Sequence, residues 1–168
     1  MSRTLDARTE EAQRLAVVRE ALTWQRTPFH WETCLKGVGV DCGRFLAASF
    51  NAAGVKKIDI DALPHLPQLW FLHKSEGAPS PYLAQLLLYS VEYELKPGRT
   101  PRPADIVVAR YGRDWAHSAL VVEWPSVIGA AYEHCVTVWR DIHASPQYAH
   151  KELKLLNPWD PAAGGNPC

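Results

Sequence analysis

The sequence predicts an α+β fold in which N-terminal helices pack on an antiparallel sheet of about four to six strands. In the first half of the chain, apolar residues recur at helical spacing, whereas short strand-like apolar runs prevail after residue 104. The tight connections between those runs favour antiparallel pairing. The chain has 168 residues, of which 47% are hydrophobic and 21% charged, and this is the size and composition of one globular domain.

The first two helices follow from capping signals. Residues 9–24 place apolar side chains on one helical face, and residues 25–41 contain turn-forming residues that indicate a loop. A second helix is predicted over 42–53, with Asp41 as the N-cap and Gly54 as the C-cap. The loop therefore delivers its last residues to the start of a helix.

The middle of the chain is rich in proline, and its second half contains four short runs that are predicted to be strands. Residues 55–79 are predicted to be irregular, and a third helix is expected to begin at Ser80-Pro81 and to end near Leu95. A proline-rich link, 96–104, leads into the sheet. The predicted strands are 105–111, 117–124, 127–132 and 135–142.

Charge and hydropathy exclude several classes of function. Lys+Arg and Asp+Glu both number 18, so the formal net charge is zero, which gives no support for nucleic-acid or membrane-surface binding. No apolar run approaches the roughly 20 residues of a membrane span, and no signal-peptide core is present. We therefore expect a single domain over 1–168, made in the cytoplasm, with loose tails at 1–8 and 161–168.

Cys42 is the first candidate for chemistry. At a helix N-terminus, unpaired N–H groups and the helix dipole stabilise a thiolate, and the same N–H groups can serve an oxyanion. His117 opens a predicted strand and is the candidate base for this thiol. Taken alone, a cysteine at a helix start is more often a small packed residue, and a strand-end histidine is more often bonded to solvent or backbone.

Metal and disulfide chemistry receive little support from the spacing. The seven histidines and four cysteines form neither HExxH nor CxxC pairs, so no metal and no cofactor is expected. His134 and Cys135 are adjacent and would face opposite sides of a strand. Cys168 is a speculative ligand for a cluster shared with a partner. A disulfide between Cys34 and Cys42 is not favoured in a chain made in the cytoplasm.

Five segments together resemble the NlpC-type cell-wall cysteine peptidases, which have a papain-like fold, and in particular the branch found in tailed phages and gene-transfer-agent tails. They resemble, in order, the loop before the nucleophile, the nucleophile helix, a central segment of the phage branch, the strand before the histidine, and the histidine strand with its successor. The segments are TWQRTPFHW (23–31), KGVGVDCGRFLAASFNAAGV (36–55), LPQLWFLHKSEG (66–77), PRPADIVVARYG (101–112) and AHSALVVEWPSVIGA (116–130).

The resemblance implies a function and its residues. Cys42 would be the nucleophile and His117 the base of a peptidase that cuts the peptide stems of peptidoglycan. In the phage branch, such an enzyme helps the tail to open the cell wall. The implied partners are peptidoglycan stem peptides and tail-tip or hub proteins, and the implied location is a virion tail, reached after synthesis in the host cytoplasm.

Three positions depart from the family pattern. The third catalytic residue would fall at Gly129, which has no side chain to orient His117. Phe29 replaces a tyrosine whose hydroxyl assists the oxyanion, and Arg44 is bulky where small residues are common. These departures support an alternative, a weakened or inactive family member that serves as a structural tail-tip component. A cysteine acyltransferase or amidase of the same fold is a third option.

Other residues are candidates for supporting roles. Glu133, His134 and Asp141 are candidates for the group that orients His117, although each fits a solvated turn or strand end. Asp41 and Gly43 are placed near the oxyanion, with capping favoured for Asp41. The candidate cleft residues are Trp24, His30, Trp31 and His73. The aromatic members could line a sugar or peptide groove, or belong to the core or a protein contact.

Overall fold

The computed structural model describes residues 2–73, 75, 77–132 and 134–159. The predictions for Glu133, Cys168 and the tail 161–168 lie outside these residues. The helices are α1 (Ser2–Leu22), α2 (Cys42–Ala52), α3 (Trp70–His73) and α4 (Pro81–Leu87). The strands are β1 (Cys34–Leu35), β2 (Gly39–Val40), β3 (Val91–Tyr93), β4 (Ile106–Tyr111), β5 (Asp114–Glu123), β6 (Ser126–Ala130), β7 (Val136–Trp139) and β8 (Leu153–Asn157).

Six strands form one antiparallel sheet in the order β3-β8-β4-β5-β6-β7, while β1 and β2 form a separate small pair. The α+β prediction is therefore confirmed. In β5, Ala116 is an extra residue, because Ala109 pairs with His117 but Arg110 pairs with Trp115. This bulge locally redirects the strand at its start.

The sheet buries both faces, and β5 contributes to each. On the helix side, Leu120 packs in a cluster with Phe45 of α2. On the opposite face, Ala119 and Val121 pack with Tyr148. Because side chains alternate along a strand, neighbouring residues of β5 serve different sides of the protein.

Two boundaries differ from the predictions for local reasons. The helix α1 begins at Ser2 rather than at residue 9, because residues 2–8 contain no proline or glycine to interrupt it. The helix α2 begins at Cys42 after Asp41 as predicted, but its C-cap is Ala53, and Gly54 follows with a φ of +69°. Glycine at that next position is the usual way to end a helix in the left-handed region.

The largest difference lies after α4. The predicted helix was to reach Leu95, but it ends at Leu87, and Val91–Tyr93 instead pair with Leu155–Asn157. A β-branched and an aromatic residue suit an edge strand, and the pairing satisfies backbone groups that a helix would otherwise bond. Their partner strand β8, Leu153–Asn157, was not among the predicted strands. None of the described helices combines the length and apolar character that crossing a membrane requires.

A buried arginine of α1 forms an ion pair and hydrogen bonds with residues of the sheet and of the loop before it. Arg14 is 1% exposed, and its guanidinium donates to Asp105 Oδ1 at 2.7 Å and to the Pro103 carbonyl at 2.8 Å. It also donates to Glu10 at 2.8 Å and to Asn157 at 2.9 Å. The planar guanidinium therefore links one helix to the residue before β4 and to the end of β8.

Candidate active site

Asp41 shapes the helix start that carries Cys42. Its Oδ1 accepts from the Arg44 amide at 2.8 Å, and its Oδ2 accepts from the Arg44 guanidinium at 2.8 Å and from the Glu32 amide at 2.9 Å. The predicted capping role is therefore confirmed. These bonds occupy the carboxylate and give the buried Arg44 a partner, so Arg44 does not project as a free charge into the site.

The Cys42 thiol sits between α2, α4 and β5. Its side chain is nearly buried, and the thiol donates to the Ala116 carbonyl at a sulfur–oxygen distance of 3.9 Å. The Tyr82 hydroxyl donates to Cys42 Sγ at 3.2 Å and lies 2.5 Å from the Ser118 hydroxyl. A hydroxyl from α4 therefore reaches the sulfur directly.

The surroundings of Cys42 favour the neutral thiol. Burial, followed by the nearby Asp41 carboxylate, raises the pKa of Cys42 to about 11. Hydrogen bonds from Tyr82 and from the Ser118 and Gly43 amides lower this pKa, but they do not outweigh burial. The helix N-terminus alone therefore does not produce a resting thiolate here.

His117 lies on β5 and faces aromatic rings. Its Nε2 is 2.9 Å from Tyr148 Oη, and the two rings stack at 30° with centroids 5.3 Å apart. Tyr111 and Trp139 meet the imidazole edge-on at 5.6 and 6.4 Å. Burial lowers the pKa of His117 to about 4, so the ring is neutral at pH 7.

The structure brings Cys42 and His117 to one cavity but does not show them bonded. Both line a cavity of about 220 Å³, which we call the histidine-side cavity, together with Phe29, Trp31 and Tyr132. Among the described residues, no hydrogen bond joins Cys42 to His117. The thiol faces Ala116, and Nε2 of the imidazole faces Tyr148.

A second cavity opens on the other side of the thiol. This helix-side cavity shares Trp31, Cys42 and Ala116 with the first one. Its further lining is mostly apolar and includes Gly43, Leu63, Leu66, Trp70, Tyr82 and Leu86. Cys42 therefore lies where the two cavities meet.

Two of the predicted aromatic residues line the histidine-side cavity, and one does not. Phe29 meets Trp31 edge-on at 5.1 Å and Tyr132 at 5.5 Å. Trp24 was wrongly assigned to the cleft. It is buried in the core against Phe45, because the turn after α1 directs its ring inward.

The two predicted cleft histidines lie elsewhere. His30 and His73 are exposed, and neither is among the described residues that line the two cavities at Cys42. His73 is the last residue of α3, whose Trp70 and Phe71 contribute to the cavities instead. A short helix presents only some of its residues to one side, and its histidine faces solvent.

Gly129 lacks not only a side chain but also the room for one. It lies on β6 opposite Thr137 of β7. A Cβ built there would be 2.9 Å from the Ser118 carbonyl oxygen and 3.1 Å from Ala119 Cβ. The packing of the neighbouring strand therefore leaves no space for a side chain at position 129, where the resemblance places the third catalytic residue.

Replacing Gly129 with alanine is expected to destabilise the fold by about 1–3 kcal/mol, because the added methyl overpacks a buried strand pair. Gly129→His should cost at least as much and should not improve any activity. Urea unfolding of both variants, beside Ser126→Ala at the half-buried start of the same strand, measures the effect. Unchanged midpoints for both Gly129 variants would contradict the predicted crowding.

Of the predicted orienting groups that the structure describes, neither Asp141 nor His134 is a hydrogen-bond partner of His117. Asp141 is exposed and accepts from the His143 amide at 2.9 Å, and His134 is exposed in the turn before β7. The hydrogen-bond partner of His117 Nε2 is instead the hydroxyl of Tyr148, a residue that the sequence analysis missed. No local signal pointed to it, because it lies 31 residues from His117 in the chain. Tyr82 was also missed, although the predicted helix start at Ser80-Pro81 placed it in a first turn.

The described residues give no sign of metal or disulfide chemistry. No group of three or more histidine, cysteine, aspartate or glutamate side chains among them is arranged to hold a metal ion. Cys34, Cys42 and Cys135 are free thiols, so the disfavoured pairing of Cys34 with Cys42 is not formed. Cys34 instead donates to the Arg44 carbonyl at 3.8 Å.

The pKa of His117 predicts how stability depends on pH. Because this pKa is lower in the folded state, about 4 against 6.5, the unfolded chain binds the proton more readily. The contribution is intact above pH 6.5 and is lost as the pH falls toward 4, by up to roughly 3 kcal/mol. Urea unfolding at several pH values should show this loss in the wild type and a shallower one in His117→Gln. Parallel curves would contradict the assignment.

Comparisons of sequence and structure differ in what they find. No family model matches the sequence, and no curated protein matches it. The structure is similar to the crystal structure of the NlpC/p60 domain of the peptidoglycan hydrolase SagA, with a TM-score of 0.55 and 15% identity, covering 84% of this chain and 97% of that one.

A second solved structure agrees with the first. It is a protein similar to a lipoprotein, of the NLP/P60 family, from Staphylococcus aureus subsp. aureus Mu50. Its TM-score is 0.50 at 14% identity, and the match covers 84% of this chain and 40% of that one. At such identities a structural match reports the fold and not the chemistry. The chain therefore has the fold of the NlpC/p60 domains.

Proposed function

We propose that this chain is a cysteine hydrolase that cleaves amide bonds in the peptide stems of peptidoglycan. The observation that carries the proposal is the meeting of Cys42, at the N-terminus of α2, and His117, on β5, in one aromatic cavity. The fold adds support, since one of its solved neighbours is a domain of a peptidoglycan hydrolase. The five segments that resemble NlpC-type peptidases point to the same two residues.

The reaction would begin from neutral groups. With the pKa of Cys42 near 11 and that of His117 near 4, a resting thiolate–imidazolium pair is disfavoured. The thiol would turn from the Ala116 carbonyl toward the cavity and lose its proton to His117 as its sulfur attacks the substrate carbonyl carbon. Amides in the first turn of α2 would stabilise the oxyanion.

The remaining steps return both groups to their starting state. The carbon–nitrogen bond breaks as the imidazolium gives its proton to the leaving amine, which leaves a thioester on Cys42. Water, deprotonated by His117, then attacks the thioester carbonyl, and the thiol regains its proton as the acid product leaves. No oxidant, metal or cofactor takes part in this sequence.

We further propose that the hydrolysis serves entry through the cell wall, with the chain carried in a virion tail after synthesis in the host cytoplasm. The support is the resemblance of the five segments to the branch found in tailed phages and gene-transfer-agent tails. Tail-tip or hub proteins would be its protein partners. Mass spectrometry of purified particles tests this setting, and the absence of the chain from them would contradict it.

A second candidate function is a non-enzymatic tail component that keeps the fold. Specific observations favour it: Cys42 and His117 are not bonded to each other, and burial moves both of their pKa values toward the neutral forms. A side chain at Gly129, where the resemblance places the third catalytic residue, would crowd Ser118 and Ala119. Such a protein would use its surface to bind other tail proteins and would not turn over peptidoglycan.

Thiol alkylation against pH separates the two candidates. In the wild type, His117 should accept the Cys42 proton as the sulfur attacks iodoacetamide, so His117→Ala should slow alkylation of Cys42 near neutral pH. The half-buried Cys34 and Cys135 provide internal controls in the same mass spectra. If the rate of Cys42 alkylation is the same with and without His117, the hydrolase proposal fails and the structural one is favoured.

A further inference from the structure

We infer that Tyr148 is the residue that positions His117, so that the base is held by a phenol from the segment between β7 and β8. The inference rests on the proposed hydrolase function for its catalytic consequence. The contact itself can be tested without a substrate. It assigns to Tyr148 a role that a side chain at position 129 of β6 could not readily take, since a Cβ at Gly129 would already crowd the Ser118 carbonyl at 2.9 Å.

The contact between Tyr148 and His117 is close and buried. The hydroxyl lies 2.9 Å from Nε2, the rings stack at 30°, and Tyr148 is 2% exposed. Trp139 packs edge-on against the tyrosine ring at 5.2 Å. Stacking fixes the plane of the imidazole while the hydrogen bond fixes its rotation, so two independent contacts determine one ring orientation.

Hydrogen bonds hold the segment that carries Tyr148 in place. The Tyr148 amide donates to the Ser145 carbonyl at 3.0 Å, and the Ile142 amide donates to the Pro125 carbonyl at 3.0 Å. The Tyr111 hydroxyl donates to the Gln147 carbonyl, which links the segment to β4. A residue that positions a catalytic group needs such support, because a mobile phenol would not hold the ring.

The hydrogen bond has a chemical consequence for the second ring nitrogen. If Nε2–H donates to Tyr148, Nδ1 carries the lone pair and is free to take a proton from a thiol. After that transfer, the same Nε2–H belongs to an imidazolium, and the hydrogen bond to oxygen strengthens. If the phenol donated instead, Nδ1 would carry the proton and His117 could not act as the base. The tautomer of His117 therefore tests the inference.

Other groups near His117 do not replace Tyr148. In the described part of the chain, Tyr148 is the hydrogen-bond partner of the imidazole, while Tyr111 and Trp139 present ring edges to it. Burial raises the pKa of Tyr148 well above its usual value, so the phenol stays neutral. A neutral partner orients the ring without adding a full charge, which distinguishes this arrangement from a histidine–carboxylate pair.

Nitrogen-15 NMR of the histidine rings, combined with Cys42 alkylation, tests the inference on the intact chain. In the wild type, His117 should show a protonated Nε2 and an unprotonated Nδ1. In Tyr148→Phe we expect mixed tautomers and a fall of about tenfold in alkylation of Cys42 near neutral pH, less than the roughly 10²–10⁴ that a lost base costs. Tyr93→Phe is the matched control, since its hydroxyl bonds Asp105 instead.

Two results would overturn the inference: a protonated Nδ1 on His117 in the wild type, which needs no variant, or unchanged ring shifts in a folded Tyr148→Phe. Failure of the proposed function would give a different combination of results from failure of this inference. In that case the tautomer still changes in Tyr148→Phe, which supports the inference, while Cys42 reactivity is indifferent to His117→Ala.

Discussion

Under the proposed hydrolase function, replacing Cys42 with serine is expected to reduce hydrolysis of peptidoglycan stem peptides by roughly 10⁴-fold or more, as for other lost nucleophiles. A serine hydroxyl is much less acidic than a thiol, and His117, with a pKa of about 4, is a weak base. The fold should survive, because serine is smaller and its hydroxyl can still bond the Ala116 carbonyl. Release of new amino groups from purified cell-wall peptides provides the measurement.

The control for that experiment is Cys135→Ser. Cys135 is a free, half-buried thiol close to Thr137, and it does not line the described cavities at Cys42. Its replacement should leave hydrolysis within about twofold of the wild type. Equal activity of the Cys42→Ser protein and the wild type would show that any hydrolysis observed comes from another group or from a contaminant.

Replacing Arg14 with alanine is expected to lower the free energy of unfolding by about 3–5 kcal/mol, the usual cost of breaking a buried ion pair. The change would leave the Asp105 carboxylate buried, with Tyr93 and the Arg102 amide as its remaining donors. It would also remove the guanidinium that stacks 4.2 Å above the Trp159 ring. Urea unfolding followed by tryptophan fluorescence measures the loss.

An exposed arginine of the same network is the matched control. Arg102 donates to Glu10 at 2.7 Å, but about half of its side chain is exposed. Arg102→Ala should therefore cost less than about 1 kcal/mol, because solvent screens such a pair and the backbone amide to Asp105 remains. Arg14→Met should recover part of the loss by restoring apolar volume. Equal costs at Arg14 and Arg102 would contradict the role of burial.

The fold class could be read from the sequence because local chemistry determines most of its elements. Asp41 followed by apolar residues at helical spacing predicts the start of α2, and the bonds of Asp41 confirm it. The central strands β4, β5 and β6 are short apolar runs separated by tight turns, so each can be recognised in the sequence. The edge strand β3 was missed because Val91–Tyr93 is too short to show a period and gains its partner from β8, more than 60 residues later.

In the candidate site, too, some residues can be read from local sequence and others depend on distant contacts. Cys42 follows from the capping pattern, and His117 follows from the resemblance of its strand. Tyr82 and Tyr148 could not be found, because no local pattern relates a phenol to a thiol or imidazole distant in sequence. Trp24 was misplaced for the same reason, since aromatic residues in one loop can face either the core or a cleft.

The sequence by itself determined the two-part order of helices and strands, the capped helix that presents Cys42, and the loss of a side chain at Gly129. Only the tertiary structure decided which groups surround those residues. It brings the Tyr82 hydroxyl to the Cys42 sulfur and the Tyr148 hydroxyl to the His117 imidazole. The Cys42 thiol donates its hydrogen bond to the Ala116 carbonyl and not to His117. The physical reason is that capping and alternation act between near neighbours in the chain, whereas these contacts depend on how α4 and the segment after β7 pack against β5.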